Sequence, residues 1–147
     1  MELTSGSFEQ GGMIPAACTC DGRNVTPELE IRDVPEDAKS LALVLRDPDA
    51  PSGTFYHWLV WNIDPLTPRI SDRSLPSGAI EGTNSAKRTG YMGPCPPGGQ
   101  THRYFFDLYA LDTELDLDEH AGAQQLERHI EGHRIGRAEL MGLYARQ

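Results

Sequence analysis

Three segments of this chain carry apolar residues in a pattern suited to the inner strands of a sheet. Residues 41–46 form an unbroken run of Leu, Ala and Val that ends in Arg46. Continuous apolarity over so short a stretch suggests a strand covered on both faces. Phe55–Ile63 alternates, with Phe55, His57, Leu59, Trp61 and Ile63 on one face and Tyr56, Trp58, Val60 and Asn62 on the other. Both faces are largely apolar, so this strand is also expected to be central. Residues 102–111 place His102, Tyr104, Phe106, Leu108 and Ala110 together, opposite Arg103, Phe105, Asp107, Tyr109 and Leu111. Residues 28–32 alternate more weakly and read as a half-exposed strand.

The C-terminal part changes character. Asp118 is placed to cap a helix running to about residue 131, with Gly132 as its stop. Residues 136–146 read as a second helix, with Ala138, Met141, Leu143 and Tyr144 toward the core. Strands followed by helices predict a mainly β domain with a small helical appendage.

A length of 147 residues favours a single domain spanning 1–147. Acidic residues outnumber basic ones by 22 to 13, a net charge of −9. No Lys/Arg cluster interrupts this excess, which excludes the basic footprint of a nucleic-acid binder and disfavours anionic membranes. No apolar run is long enough to span a bilayer, and no signal-like segment opens the chain. Three cysteines, an odd count, argue against a secreted disulfide framework, and the chain reads as cytoplasmic.

Chemistry-bearing residues gather at strand ends. Asp47 closes the first strong strand, His57 lies near the start of the second, and His102 opens the third. The Pro/Gly-rich segment 90–99 (GYMGPCPPGG) runs into His102. If the strands are neighbours, a carboxylate, two imidazoles and the loop backbone meet at one edge of the sheet, with Tyr104 beside them. Protonated imidazoles, a close backbone approach at Gly93 and the Tyr104 hydroxyl would suit an anion. Asp47 would orient His57 and raise its pKa. Each histidine could instead satisfy only a core hydrogen bond.

Two enzymatic readings use the same residues. Two His and a carboxylate can hold a metal, and His129 and His133 add possible ligands. Cys95, between prolines and seven residues before His102, could pair with it as a nucleophile. The competing reading makes Cys95 a loop-packing residue, and Cys18 and Cys20 structural. No cofactor is expected.

The blocks DPDAP (47–51), HWLVWN (57–62), GYMGPCPPG (90–98) and THRY (101–104) together resemble the phosphatidylethanolamine-binding, or Raf kinase inhibitor-like, family. The opening CTCDG (18–22) and the ending GHRIGRAELMGLY (132–144) are similar to its bacterial and archaeal branch. The resemblance implies a large antiparallel sheet packed on a smaller one, a Greek-key-like β-sandwich with peripheral C-terminal helices. It implies an anion pocket at Asp47, His57, Gly93, Pro94, His102 and Tyr104. It further implies a cis peptide at Ala50–Pro51, with a second near Gly53–Thr54. Family members bind phosphate-type head groups, some inhibit kinases or proteases, and they generally lack a demonstrated reaction. The expected partners are a small anionic or phosphorylated ligand and a protein, without nucleic acid or stable membrane insertion. A homodimer is an open arrangement.

Overall fold

The computed structural model describes residues 1–72 and 74–146. Two antiparallel sheets form the architecture. The larger contains β3 (Ser40–Asp47), β4 (Phe55–Ile63), β6 (Ile80–Glu81), β7 (Thr101–Leu111) and β8 (Arg134–Ala145), in the order β6-β4-β3-β7-β8. The smaller contains β1 (Glu2–Thr4), β2 (Leu29–Arg32) and β5 (Arg69–Ile70), in the order β1-β2-β5. One helix, α1 (Ala123–His133), precedes β8.

The apolar pattern explains this layering. β3 sits between β4 and β7 and is buried along nearly its whole length. Leu41, Leu43 and Leu45 pack with Leu3, Leu29, Ile31 and Ile70 of the small sheet. Ala42 and Val44 face the other way and join Leu59, Trp61, Leu126 and Ile130. Leu126 and Ile130, four residues apart, lie on one face of α1. The large sheet is therefore covered twice, by a second sheet and by a helix.

Two C-terminal expectations are corrected. Residues 136–146 form no helix but most of β8, paired with β7 from Thr101↔Ala145 to Leu111↔Arg134. Ala138, Leu140 and Tyr144 are buried in the inter-sheet core, a period of two rather than 3.6. Gly142 lies under Phe8 and Ile14, whose side chains stand 2.7 and 2.6 Å from where its Cβ would be. Long-range pairing thus decides a segment whose local pattern was ambiguous. The fold accordingly has one C-terminal helix, not several. That helix also starts later than expected, because Asp118 Oδ1 accepts from the His120 N–H and forms a preceding turn. Gly122 is the N-cap, and Gly132 lies inside the helix rather than beyond it.

The cis bonds expected at Ala50–Pro51 and near Gly53–Thr54 are not found: every peptide bond among the described residues is trans. The chain reverses between β3 and β4 by other means. Asp47 Oδ1 accepts from the Asp49 N–H at 2.8 Å, Gly53 N–H donates to the Ala50 carbonyl at 3.1 Å, and Gly53 takes a φ of +102°. Only glycine adopts that backbone without strain.

Because Leu126 is fully buried where α1 covers the sheet, Leu126→Ala should lower stability by about 2–5 kcal/mol. The shift of the urea midpoint measures this. An unchanged midpoint would mean that the helix is not packed as described.

Candidate functional site

Four polar side chains from three neighbouring strands meet at one end of the inter-sheet core. Asp47 comes from β3, His57 from β4, and His102 and Tyr104 from β7. They line a cavity of about 190 Å3 with Ala50, Pro51, Phe55, Met92, Cys95, Pro96 and Pro97. One wall is thus polar, and the rim is mostly apolar.

Strict alternation would not deliver His57 to this cavity. It would group His57 with Leu59 and Trp61, which face α1. The register of β3 on β4 shows why this expectation fails. Leu45 lies opposite Trp58, but Arg46 lies opposite Tyr56, so His57 is an extra residue in a β-bulge. The bulge turns His57 to the side shared by Trp58 and Tyr104, with its ring centroid 5.5 Å from that of Tyr104.

The hydrogen bonding also differs from the sequence expectation. Asp47 does not orient His57. Its Oδ2 lies 2.7 Å from Nδ1 of His102, and both side chains are buried. His102 Nε2 faces Gln100 Oε1 at 3.1 Å. His57 Nδ1 lies 2.7 Å from the Met92 carbonyl, which can only accept, so Nδ1 carries the proton. The Met92 N–H returns a bond of 3.0 Å to the His57 carbonyl. These two bonds hold segment 90–99 over the sheet end.

Burial pushes the His57 pKa below 6.5, overriding the opposing pull of the Met92 and Gly93 carbonyls and of Asp47. The expectation of a raised value is therefore corrected: desolvation outweighs the carboxylate. Tyr104 moves upward, through burial first and then through the charge of Asp47, and remains a neutral donor. Its hydroxyl is buried and makes no hydrogen bond of good geometry, although the Asp47 carboxylate is close enough to act on it as a weak acceptor and to oppose its ionisation. Buried hydroxyls nearly always have well-formed hydrogen bonds, so one lining a cavity without them is informative.

Gly93 and Pro94 stand behind the cavity and do not line it. The Gly93 N–H donates to Asn24 Oδ1 at 2.8 Å, and a Cβ on Gly93 would lie 2.2 Å from the Cys18 carbonyl oxygen. The Pro94 carbonyl accepts from the Cys20 N–H at 3.1 Å. Their visible role is to dock the loop on residues 18–24. Cys95 completes that docking through a disulfide to Cys20. The thiol-nucleophile reading is thereby overturned. Cys18 is the odd thiol, buried and with its pKa raised by burial.

Sequence reasoning also passed over a clamp on the outer side. Arg103 donates to Asp49 from its backbone N–H (2.9 Å), Nε (3.0 Å) and Nη2 (2.8 Å). These bonds hold the Asp49 carboxyl down at about 2 and tie the loop after β3 to β7. The adjacency of Asp49 to Asp47 and of Arg103 to His102 was the available signal.

Among the described residues, no group of three or more His, Cys, Asp or Glu side chains is arranged to hold a metal. His129 Nδ1 bonds the Gln125 carbonyl and His133 Nδ1 bonds Asp112, so the two do not converge. A larger hollow of about 530 Å3 lies at the start of α1, lined in part by Tyr56, Asn84 and Lys87. Its buried amide, Asn84, is fully engaged with the backbone of Ala86, Arg88 and Gly90.

Two sheets enclosing a small, partly apolar cavity with a polar wall define a ligand-binding β protein. The family profile described as phosphatidylethanolamine-binding protein matches residues 4–145. A UPF0098 protein of Methanothermobacter thermautotrophicus is 48% identical over 151 residues, covering 99% of each chain. The phosphatidylethanolamine-binding protein homolog CT736 of Chlamydia trachomatis superposes with a TM-score of 0.93 at 40% identity, over 99% of this chain and 97% of that one. Escherichia coli YbcL, described as a member of the mammalian family, gives a TM-score of 0.93 at 30% identity, over 99% and 98%. The chain belongs to the phosphatidylethanolamine-binding protein family.

The lowered His57 pKa has a consequence for stability. In the unfolded chain His57 takes up a proton near pH 6.5, whereas the folded chain resists it. Stability is therefore retained above that pH and lost as pH falls from there toward the folded value, by at most about 1.4 kcal/mol per pH unit. His57→Asn, whose amide can still donate to Met92, should show a shallower loss between pH 7 and pH 5 in urea unfolding. Parallel pH profiles for the two proteins would contradict the assignment.

Proposed function

We propose that this protein binds a small ligand through a phosphate-type oxyanion head group held in the Asp47/His57/His102/Tyr104 cavity. The observation that carries the reading is the buried Tyr104 hydroxyl on the cavity wall, which makes no well-formed hydrogen bond within the protein. A ligand oxygen would satisfy it. In its protonated form, paired with Asp47, His102 offers a second donor at Nε2, where Gln100 now accepts. Gln100 is exposed and can be displaced.

Binding rather than catalysis is the better account. Cys95 has no free thiol, and Asp47 is engaged by His102 and by the Asp49 N–H. Gly93 and Pro94 would act by fixing the loop rather than by touching the ligand. Regulation of a kinase or protease partner, implied by the resemblance, would be a downstream use of the occupied cavity. Among the described residues no helix is long and apolar enough to cross a membrane. The Cys20–Cys95 disulfide favours an oxidising compartment over the cytoplasmic location expected from the sequence.

Calorimetric titration with phenylphosphonate tests the reading. Tyr104→Phe removes only the hydroxyl and should weaken binding by about 1.5–3 kcal/mol, the range for a hydrogen bond to a charged group. Equal affinity in the wild type and Tyr104→Phe would refute the proposed role of this hydroxyl.

A further inference from the structure

We infer that the Cys20–Cys95 disulfide is a site of directed thiol exchange. A low-molecular-weight thiol of the glutathione class attacks Sγ of Cys20, Cys95 leaves as a thiolate, and Cys20 keeps the small thiol as a mixed disulfide. The rim of the cavity is thereby unfastened. This chemistry is independent of what the cavity holds.

Accessibility and charge both favour it. Cys20 and Cys95 are exposed, and an exposed disulfide is open to an incoming thiolate. The charges around the two sulfurs differ. Arg146 donates from Nη1 toward Cys95 Sγ at 3.8 Å, while its Nε donates to Asp21 Oδ1 at 3.1 Å. The guanidinium stabilises negative charge on Cys95 as the bond breaks. Cys20 is followed directly by the Asp21 carboxylate, which disfavours a thiolate there. Exchange proceeds faster when the better-stabilised thiolate leaves, so attack falls on Cys20.

The remaining cysteine is kept out of the reaction. Cys18 stands two residues from the attacked sulfur, close enough in sequence to displace an adduct. It is only 4% exposed, and burial, with Asp72, pushes its pKa up. Its carbonyl is held by the Tyr91 hydroxyl at 2.6 Å. Cys18 therefore stays a protonated thiol, and the adduct on Cys20 persists until another external thiol removes it. The exchange balances: one S–S bond breaks, one forms, and the proton of the incoming thiol passes to solvent. A second small thiol then leaves with the first as their own disulfide, and two electrons have passed to the protein pair.

The covering loop is fastened in two halves. Residues 91–94 are held by hydrogen bonds to Cys18, His57, Asn24 and Cys20. Cys95 anchors the second half, where Pro96 and Pro97 line the cavity. Beyond them the Gly99 N–H donates to the Arg146 carbonyl at 3.0 Å. Exchange removes the anchor of the second half and leaves the first half docked.

The test exposes the full, disulfide-bonded chain to limiting glutathione, quenches in acid and maps the adduct by peptide mass spectrometry. Glutathione should sit on Cys20 about three-fold or more over Cys95, with Cys18 unmodified. Arg146→Gln should abolish this preference, and Arg146→Lys, which keeps a cation, should retain it. Equal labelling of the two cysteines in the wild type, a preference for Cys95, or no adduct on either would overturn the directed exchange. Amide hydrogen exchange on the adduct reads the rim. The Cys20 and Gly99 N–H groups should exchange about ten-fold faster or more, while those of Met92 and Gly93 keep their protection. Loss of protection at all four would make the disulfide a staple for the whole loop, and retention at all four would mean that it fastens nothing. Either result overturns release of the rim.

Discussion

The hydrogen bond from His57 Nδ1 to the Met92 carbonyl joins two parts of the molecule that are otherwise built separately. On one side is the end of β4, where a bulge turns His57 inward. On the other is a Pro/Gly-rich loop with no regular structure of its own. The bond fixes the loop over the sheet end and determines which nitrogen of His57 keeps its proton. Loop position, cavity shape and the acceptor character of the remaining nitrogen all follow from this contact. Burial beside Phe55 and Tyr104 reinforces it by disfavouring the charged ring.

The second polar pair is arranged differently. Asp47 and His102 are both buried and face each other directly. A buried pair of this kind adds little net stability, but removing one partner leaves the other uncompensated. The surrounding structure limits its freedom. Asp47 also accepts from the Asp49 N–H, and the Asp49 carboxylate is held by Arg103, the residue next to His102. The motif residues 47–51 therefore do two jobs. Asp47 faces the cavity, while Asp49 anchors the loop from outside. On the far side, Asn24, Cys20 and the disulfide brace the covering loop.

Much of the fold was legible because its central strands are apolar on both faces. The second strand was expected at Phe55–Ile63 and forms there, and the first was expected at 41–46 within the observed Ser40–Asp47. Convergence of Asp47, His57 and His102 could be anticipated because each lies at or near a strand end. The bulge could not, since it exists only in the register against β3. The partner of Asp47 was misjudged for the same reason: nearness in sequence suggested His57, whereas strand pairing brings His102. β8 was read as a helix because its small residue Gly142 makes sense only under Phe8 and Ile14. The disulfide joins residues 75 positions apart, a pairing that an odd cysteine count obscured. Gly93 and Pro94 were picked out by motif, but their contacts face the loop's support rather than the cavity.

The central claim concerns the state of His57 in the ligand-free protein. Long-range 1H–15N correlation spectra of the histidine side chains report it directly. The account predicts a neutral ring at pH 7 with the proton on Nδ1 and a lone-pair signal from Nε2, persisting as pH falls below 6.5. A proton on Nε2 alone, or a doubly protonated ring at pH 7, would contradict it.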